Sequence, residues 1–197
     1  MTDVSRPEAA AERARLNEII CARSFSNDRE ITLASGRKSW LYFNMKPTMM
    51  DPEGAHLLSE LLVDKIEGSG ADYIGGLEMG AVPIVSFVAP AFFRRGKPIK
   101  AFFVRKQAKG HGTQQRIEGL TKDESLSGKK IVMLEDVTTT GGSILEAIED
   151  VREAGGEVLK VVTLIDRQEG AEAAMKEKDV LLDPLFRAED FPKPEKL

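Results

Sequence analysis

Residues Ile131-Val132-Met133-Leu134 form a wholly apolar run. Glu135-Asp136-Val137-Thr138-Thr139-Thr140-Gly141-Gly142-Ser143 follows without a break. Four consecutive apolar residues bounded by polar ones read as a short strand buried on both faces. Beyond Ser143 the pattern becomes helical as far as Ala154, where Gly155-Gly156 stops it. A doubly buried strand that turns directly into a helix needs helices over both sides of its sheet. This one stretch therefore points to an α/β architecture.

The surrounding chain repeats the alternation. Tyr73 to Leu77 is a short apolar run, Gly80 to Phe93 is helical with Pro83 near its start, Ala101 to Val104 is a strand, and Val158 to Ile165 is another. The expected core is a mostly parallel sheet flanked by helices. Ahead of it, Ser5-Arg6-Pro7-Glu8 reads as a capping box for a helix reaching about Arg23. Ile31 to Ser39 and Trp40 to Phe43 make two short β stretches around a Ser35-Gly36 turn. Asp51-Pro52-Glu53 caps a second helix that buries Leu57, Leu58, Leu61, Leu62 and Ile66 and stops at Gly68. No linker or internal repeat divides the 197 residues. The expectation is one domain over 1–197, with a small N-terminal hood (mainly 1–50 plus C-terminal residues) and a core over about 51–170. The end, with Pro192 and Pro194, reads as a loose tail.

Composition removes several function classes. The net charge is −4, so no global field attracts nucleic acid or an anionic membrane. No run of about 18 apolar residues could span a bilayer. One cysteine, Cys21, cannot form an intramolecular disulfide, which fits a reducing, cytoplasmic setting. Its helical context reads as a packed thiol. Two histidines and one cysteine, widely spaced, exclude a zinc cluster of ordinary ligand spacing.

The acidic pair and the turn after it carry the chemistry. Parallel sheets place ligands at the carboxyl ends of their strands. There, Glu135 and Asp136 can accept hydrogen bonds from a vicinal diol. The Thr/Gly turn offers hydroxyls and free N–H groups, backed by a helix dipole, that can wrap a phosphate. A ribose 5-phosphate satisfies both features. The string is neither a P-loop, since no Lys follows the glycines at the required spacing, nor a dinucleotide fingerprint. A strand-to-helix turn with ordinary caps is the blander alternative.

A second unusual segment runs from Gln107 to Ser125. It lacks apolar periodicity and carries Gly110, Gly112 and Gly119. Just before and within it, Arg105, Lys106, Lys109 and His111 concentrate positive charge in an acidic protein. That pattern suits a lid closing over a polyanion, although a solvated basic turn is the common fate of such a run.

The string 131–143 resembles the PRPP (5-phosphoribosyl 1-diphosphate) motif of type I phosphoribosyltransferases. Arg105-Lys106-x-x-Lys109-x-His111-Gly112 with Ile117-Glu118-Gly119 resembles the loop of the orotate-specific members. The likeness spans roughly Phe25 to Arg167. It implies that Glu135 and Asp136 hold the ribose hydroxyls and that Val137, Thr138, Thr139, Thr140, Gly141, Gly142 and Ser143 cradle the 5-phosphate. Arg105, Lys106, Lys109 and His111 would contact pyrophosphate, with Lys109, His111 and Asp136 as the catalytic residues. Thr139, Arg167, Tyr42 and Phe43 would contact orotate, although core packing explains the last two equally well. The implied reaction is pentosyl transfer from PRPP to orotate in pyrimidine biosynthesis. The implied cofactor is Mg²⁺ held through PRPP and water, with no direct protein ligand. The implied assembly is a homodimer whose loop reaches the neighbouring site.

Two departures stand out. Ala34 and Gly80 occupy places where many members carry lysine. A phosphoribosyltransferase for another base, and a PRPP-sensing regulator without turnover, share the same ligand and stay open on the residues alone.

Overall fold

The structure is a computed structural model that describes residues 6–28, 30–32, 38–107 and 116–193. Helix α1 (Ala9–Arg23) leads into the short strands β1 (Phe25–Ser26), β2 (Ile31–Thr32), β3 (Lys38–Ser39) and β4 (Tyr42–Phe43), then helix α2 (Lys46–Met49). The core follows: α3 (Pro52–Ile66), β5 (Tyr73–Gly75), α4 (Ala81–Arg94), β6 (Lys100–Ala101), β7 (Phe103–Val104), β8 (Ile117–Glu118), β9 (Lys130–Thr138), α5 (Gly142–Glu153), β10 (Glu157–Asp166), α6 (Ala171–Lys176) and β11 (Leu181–Arg187). A 3-10 turn, Ala188–Asp190, ends it.

Five strands form the central sheet in the order β11-β10-β9-β5-β6. Every neighbouring pair is parallel. The pleat of β9 sends Val132 and Leu134 into one apolar cluster and Ile131 and Met133 into the other. The first cluster takes Leu58 and Leu62 of α3 with Ile84 and Val88 of α4. The second takes Ile144 and Ile148 of α5 with Met175 of α6. Both faces are covered, which is why the strand sequence is continuously apolar.

Local chemistry sets several boundaries as expected. The Asp51 carboxylate accepts hydrogen bonds from the N–H groups of Glu53 (3.1 Å) and Gly54 (3.0 Å), and Pro52 occupies the first turn of α3. Leu57, Leu58, Leu61, Leu62 and Ile66 are all buried, and Gly68 takes φ +81° just past the helix. Strands β2 and β3 pair antiparallel, Ile31 with Ser39 and Thr32 with Lys38. The turn between them, including Ala34, lies outside the described residues, as does Ser5 of the expected capping box. Helix α1 begins at Ala9 after Glu8, whose side chain makes no cap bond.

The structure corrects other expectations. Strand β9 does not stop at Leu134 but runs to Thr138, so the acidic pair lies within the strand. The 101–104 run divides at Phe102 into β6 and β7. The stretch from Gln107 to Ser125 contains β8, paired antiparallel with β7. Helix α6 and strand β11 were not anticipated, and β11 extends the sheet past residue 170. Pro192 is not loose, because its carbonyl accepts a hydrogen bond from Asn27 Nδ2 at 3.2 Å. Phe191 closes the hood by packing on Phe25 and Phe43, with ring centroids 5.4 and 4.9 Å away. Pro194 lies outside the described residues.

Candidate functional site

The strand order reverses between β5 and β9. From β5 the chain moves outward to β6, and from β9 it moves the opposite way to β10 and β11. Such a switch point leaves a crevice at the carboxyl ends of the two central strands. Pairing between β5 and β9 ends at Gly75 and Met133, whereas β9 continues beside β10 to Thr138. Residues 135–138 therefore keep a strand partner on one side only. A cavity of about 410 Å³ opens there, lined by Lys46, Leu77, Glu78, Met79, Gly80, Lys106, Glu135, Asp136, Val137 and Ser143. A smaller hollow of about 70 Å³ adjoins it, lined by Glu135 and residues 137–144.

The residues expected to form a phosphate cup line the small hollow. It gathers Val137, the hydroxyl residues Thr138, Thr139, Thr140 and Ser143, and both glycines. Gly141 takes φ +84°, a left-handed conformation that glycine adopts without a side-chain penalty, and directs the chain into α5. The first N–H groups of a 12-residue helix have no intrahelical acceptor and face the cup. Buried Asp166 steadies the wall: its Oδ1 accepts from Thr138 Oγ1 (3.3 Å) and from the N–H of Gln168 (3.0 Å).

The two carboxylates occupy adjacent strand positions: Glu135 lines both cavities and Asp136 the larger one alone. Glu135 Oε1 accepts from the N–H of Asp136 (3.1 Å), and Asp136 Oδ1 accepts from the N–H of Val137 (2.9 Å). Burial pushes the Glu135 carboxyl well above the usual range, and the neighbouring Asp136 adds to the rise. A ligand hydroxyl donating to Glu135 would oppose that rise by stabilising the ionised form.

Cations arrive on separate elements. Lys106 follows β7 and lines the larger cavity; its N–H donates to Glu78 Oε1 at 2.9 Å. Arg105 lines neither cavity. Its Nε donates to the carbonyl of Gln107 (3.3 Å), and its Nη1 lies 3.7 Å from Glu118. Lys109 and His111 lie outside the described residues.

The expected orotate contacts separate. Thr139 is in the phosphate cup. Arg167 is buried at the end of β10; its Nη2 donates to Ser39 Oγ (2.8 Å) and pairs with Glu169 (2.7 Å). It lines neither cavity, but it links the sheet end to the hood strand β3. Phe43 is packed in the aromatic cluster with Phe25 and Phe191, so core packing accounts for it. Tyr42 is 45% exposed and keeps a free face. Residue reading missed Lys46, Glu78 and Met79 as cavity walls. The only sequence signal was their position after short apolar runs, where strand ends were expected.

Among the described residues no group of three or more His, Cys, Asp or Glu is placed to hold a metal ion. The larger cavity nonetheless carries the carboxylates of Glu78, Glu135 and Asp136. This hard-oxygen donor set would suit a hard divalent cation such as Mg²⁺ held mainly by substrate and water.

Comparison with known proteins agrees with this geometry. A family described as "Phosphoribosyl transferase domain" matches residues 49–195. An orotate phosphoribosyltransferase of Bradyrhizobium sp. (strain ORS 278) is 57% identical over 182 residues, covering 92% of this chain and 98% of that protein. The crystal structure of the Mycobacterium tuberculosis H37Rv orotate phosphoribosyltransferase in complex with Fe(III) dicitrate superposes with TM-score 0.78 at 32% identity, covering 91% of this chain and 98% of that one. The same enzyme in complex with PRPP superposes with TM-score 0.74 at 29% identity, over the same shares of the two chains. On a parallel sheet whose switch point joins an acidic pair to a phosphate cup, this sequence belongs to the phosphoribosyltransferase family, among its orotate phosphoribosyltransferases.

Proposed function

We propose that this chain catalyses orotate + PRPP ⇌ orotidine 5-monophosphate + pyrophosphate, a pentosyl transfer of pyrimidine biosynthesis. The observation that carries it is the union of two grips on one βα turn: Glu135 and Asp136 for a diol, and residues 137–143 for a phosphate. The M. tuberculosis relative in complex with PRPP supports PRPP as the ligand.

Phosphate binding in the cup and diol binding at the acidic pair fix the ribose at two points. That leaves C1 and its pyrophosphate toward the larger cavity, where Lys106 compensates developing negative charge. The C1–O bond breaks with its electron pair leaving on pyrophosphate, positive charge grows on the ribose ring, and orotate N1 forms the new bond from the opposite face as its proton passes to the departing pyrophosphate or to solvent. Asp136 lies beside that growing charge while it grips the diol. Mg²⁺, when bound with PRPP, would supply further charge neutralisation to the pyrophosphate. The sequence resemblance assigns Arg105, Lys109 and His111 to the same pyrophosphate, and Lys109, His111 and Asp136 to catalysis. Arg167 suits the orotate carboxylate as a planar two-pronged donor, provided ligand binding displaces Ser39 or Glu169 from it. Tyr42, with Phe43 packed behind it, forms the aromatic approach to the base.

We read the chain as one domain of hood and core, working as a cytoplasmic homodimer whose subunits complete each other's sites. Among the described residues no helix is long and apolar enough to cross a membrane. The test is turnover: orotate absorbance should fall with PRPP and Mg²⁺ present. Faster turnover with hypoxanthine, adenine or uracil would reassign the base. PRPP binding without any turnover would make the chain a sensor.

A further inference from the structure

The larger cavity has a second cation that neither the phosphate cup nor the basic segment accounts for. Lys46 opens α2, directly after the hood strand β4, and its side chain is exposed. The short helix is held firmly from below. Thr48 is fully buried and its Oγ1 lies 2.7 Å from Ser24 Oγ, while Met45 and Met49 are buried in the main core. Pro47 further restricts the backbone at the helix start. Lys46 is thus carried on an anchored turn, makes no ion pair with a described residue, and lines the cavity with Lys106.

Charge makes that position consequential. Lys46 and Lys106 are the only cations in the described cavity wall, beside the carboxylates of Glu78, Glu135 and Asp136. A pyrophosphate entering such a wall meets three acids, so each lysine bears on its affinity. Residue 80 of the floor is glycine and adds no cation; a β-carbon there would lie 2.5 Å from Asp136 Oδ1 and would displace that carboxylate.

We propose that Lys46 is a substrate-binding residue, a cation delivered by the hood to the pyrophosphate of PRPP and to the released pyrophosphate. This rests on the function proposed above. The ammonium is a point charge on a flexible stem, suited to following a leaving group without fixing its geometry.

The test compares wild type with Lys46→Ala, Lys46→Gln and Lys46→Arg. Each is assayed for KM of PRPP, KM of orotate and inhibition by pyrophosphate, and for the melting shift given by inorganic pyrophosphate with Mg²⁺. Lys46→Ala and Lys46→Gln should raise the PRPP KM and weaken pyrophosphate inhibition about tenfold, the size of one lost contact of about 1.4 kcal/mol. Lys46→Arg should recover most of the loss, which a packing role at an exposed position would not produce. The ligand-free melting temperature should not move. Wild-type PRPP and pyrophosphate behaviour in Lys46→Gln overturns the proposal, and so does a change confined to the KM of orotate, which would place the charge on the orotate carboxylate instead. If the wild type gave no turnover, the parent function would fall. The pyrophosphate melting shift would still decide Lys46, since equal shifts in wild type and Lys46→Gln overturn its role.

Discussion

A β-carbon on Gly80 would sit 2.5 Å from Oδ1 and 2.7 Å from Cγ of Asp136. Moving that carboxylate would break the hydrogen bond that Oδ1 accepts from the N–H of Val137 at 2.9 Å. Any side chain at residue 80 would therefore have to move the Asp136 carboxylate. Gly80→Ala should displace Asp136 and lower kcat/KM for PRPP at least about tenfold, a loss of about 1.4 kcal/mol. Gly80→Lys should be no better, despite adding a cation to the cavity. Steady-state kinetics with PRPP varied would check both, and a more active Gly80→Lys would refute the steric account.

Glu135 should give the site a pH signature. Its folded-state carboxyl is held up by burial and by Asp136, so the native state binds the proton more readily than the unfolded chain. Stability from this group is present below the unfolded carboxyl value and is lost as pH rises through the folded one. Glu135→Gln should flatten that decline, making the ligand-free protein more stable at neutral pH while weakening PRPP binding. Melting curves across pH, with and without PRPP, would separate the two effects. A variant less stable than wild type at neutral pH would contradict the assignment.

Asp183 provides the opposite case, remote from the two cavities. Burial pushes its carboxyl up, but hydrogen bonds from Lys160 (2.8 Å) and Lys65 outweigh this and hold it below the usual range. Its contribution is present above the unfolded value and disappears as pH falls through the folded one. Asp183→Asn should cost about 1–3 kcal/mol at neutral pH, less than a fully buried pair because all three groups keep some solvent contact. The deficit should shrink in acid, with KM values unchanged. Urea titrations at neutral and acidic pH would measure it.

Gly141 turns the chain at φ +84°, and an added methyl would also approach Ala171 Cα at 3.4 Å. Gly141→Ala should lower stability by about 1 kcal/mol through backbone strain. It should lower PRPP affinity further by tilting the N–H groups of the cup. Calorimetric titration with PRPP checks the second effect and thermal melting the first.

Lys109→Ala should depress turnover far more than orotate binding, because the proposed contact is with a leaving group whose charge develops in the transition state. Single-turnover rates alongside orotate titration would show the split. Unchanged turnover would remove Lys109 from the pyrophosphate site.

Much of this site was legible along the chain because its central part is local. The acidic pair, the hydroxyl-rich turn and the start of α5 are consecutive, so spacing alone brings diol and phosphate contacts together. The Asp51 cap, the buried face of α3 and the stop at Gly68 were readable for the same reason. Strand length was not: Glu135 and Asp136 look like the end of an apolar run, yet hydrogen bonding to β10 carries β9 on to Thr138. Strand β11 escaped notice because Pro184 and Asp183 interrupt an otherwise apolar run, and an edge position tolerates both.

By itself, the sequence determined the α/β class, the family and the run 135–143 proposed as the phosphoribosyl grip, since each is read from neighbours along the chain. Only the tertiary structure decided which distant residues face that grip. It brought Lys46 from the N-terminal segment, Glu78 and Gly80 from beyond β5, and Lys106 from beyond β7 to one crevice, and it packed Phe43 against Phe25 and Phe191. The reason is that the reversal of strand order between β5 and β9 places these side chains together, and such a reversal arises from long-range pairing that no local pattern encodes.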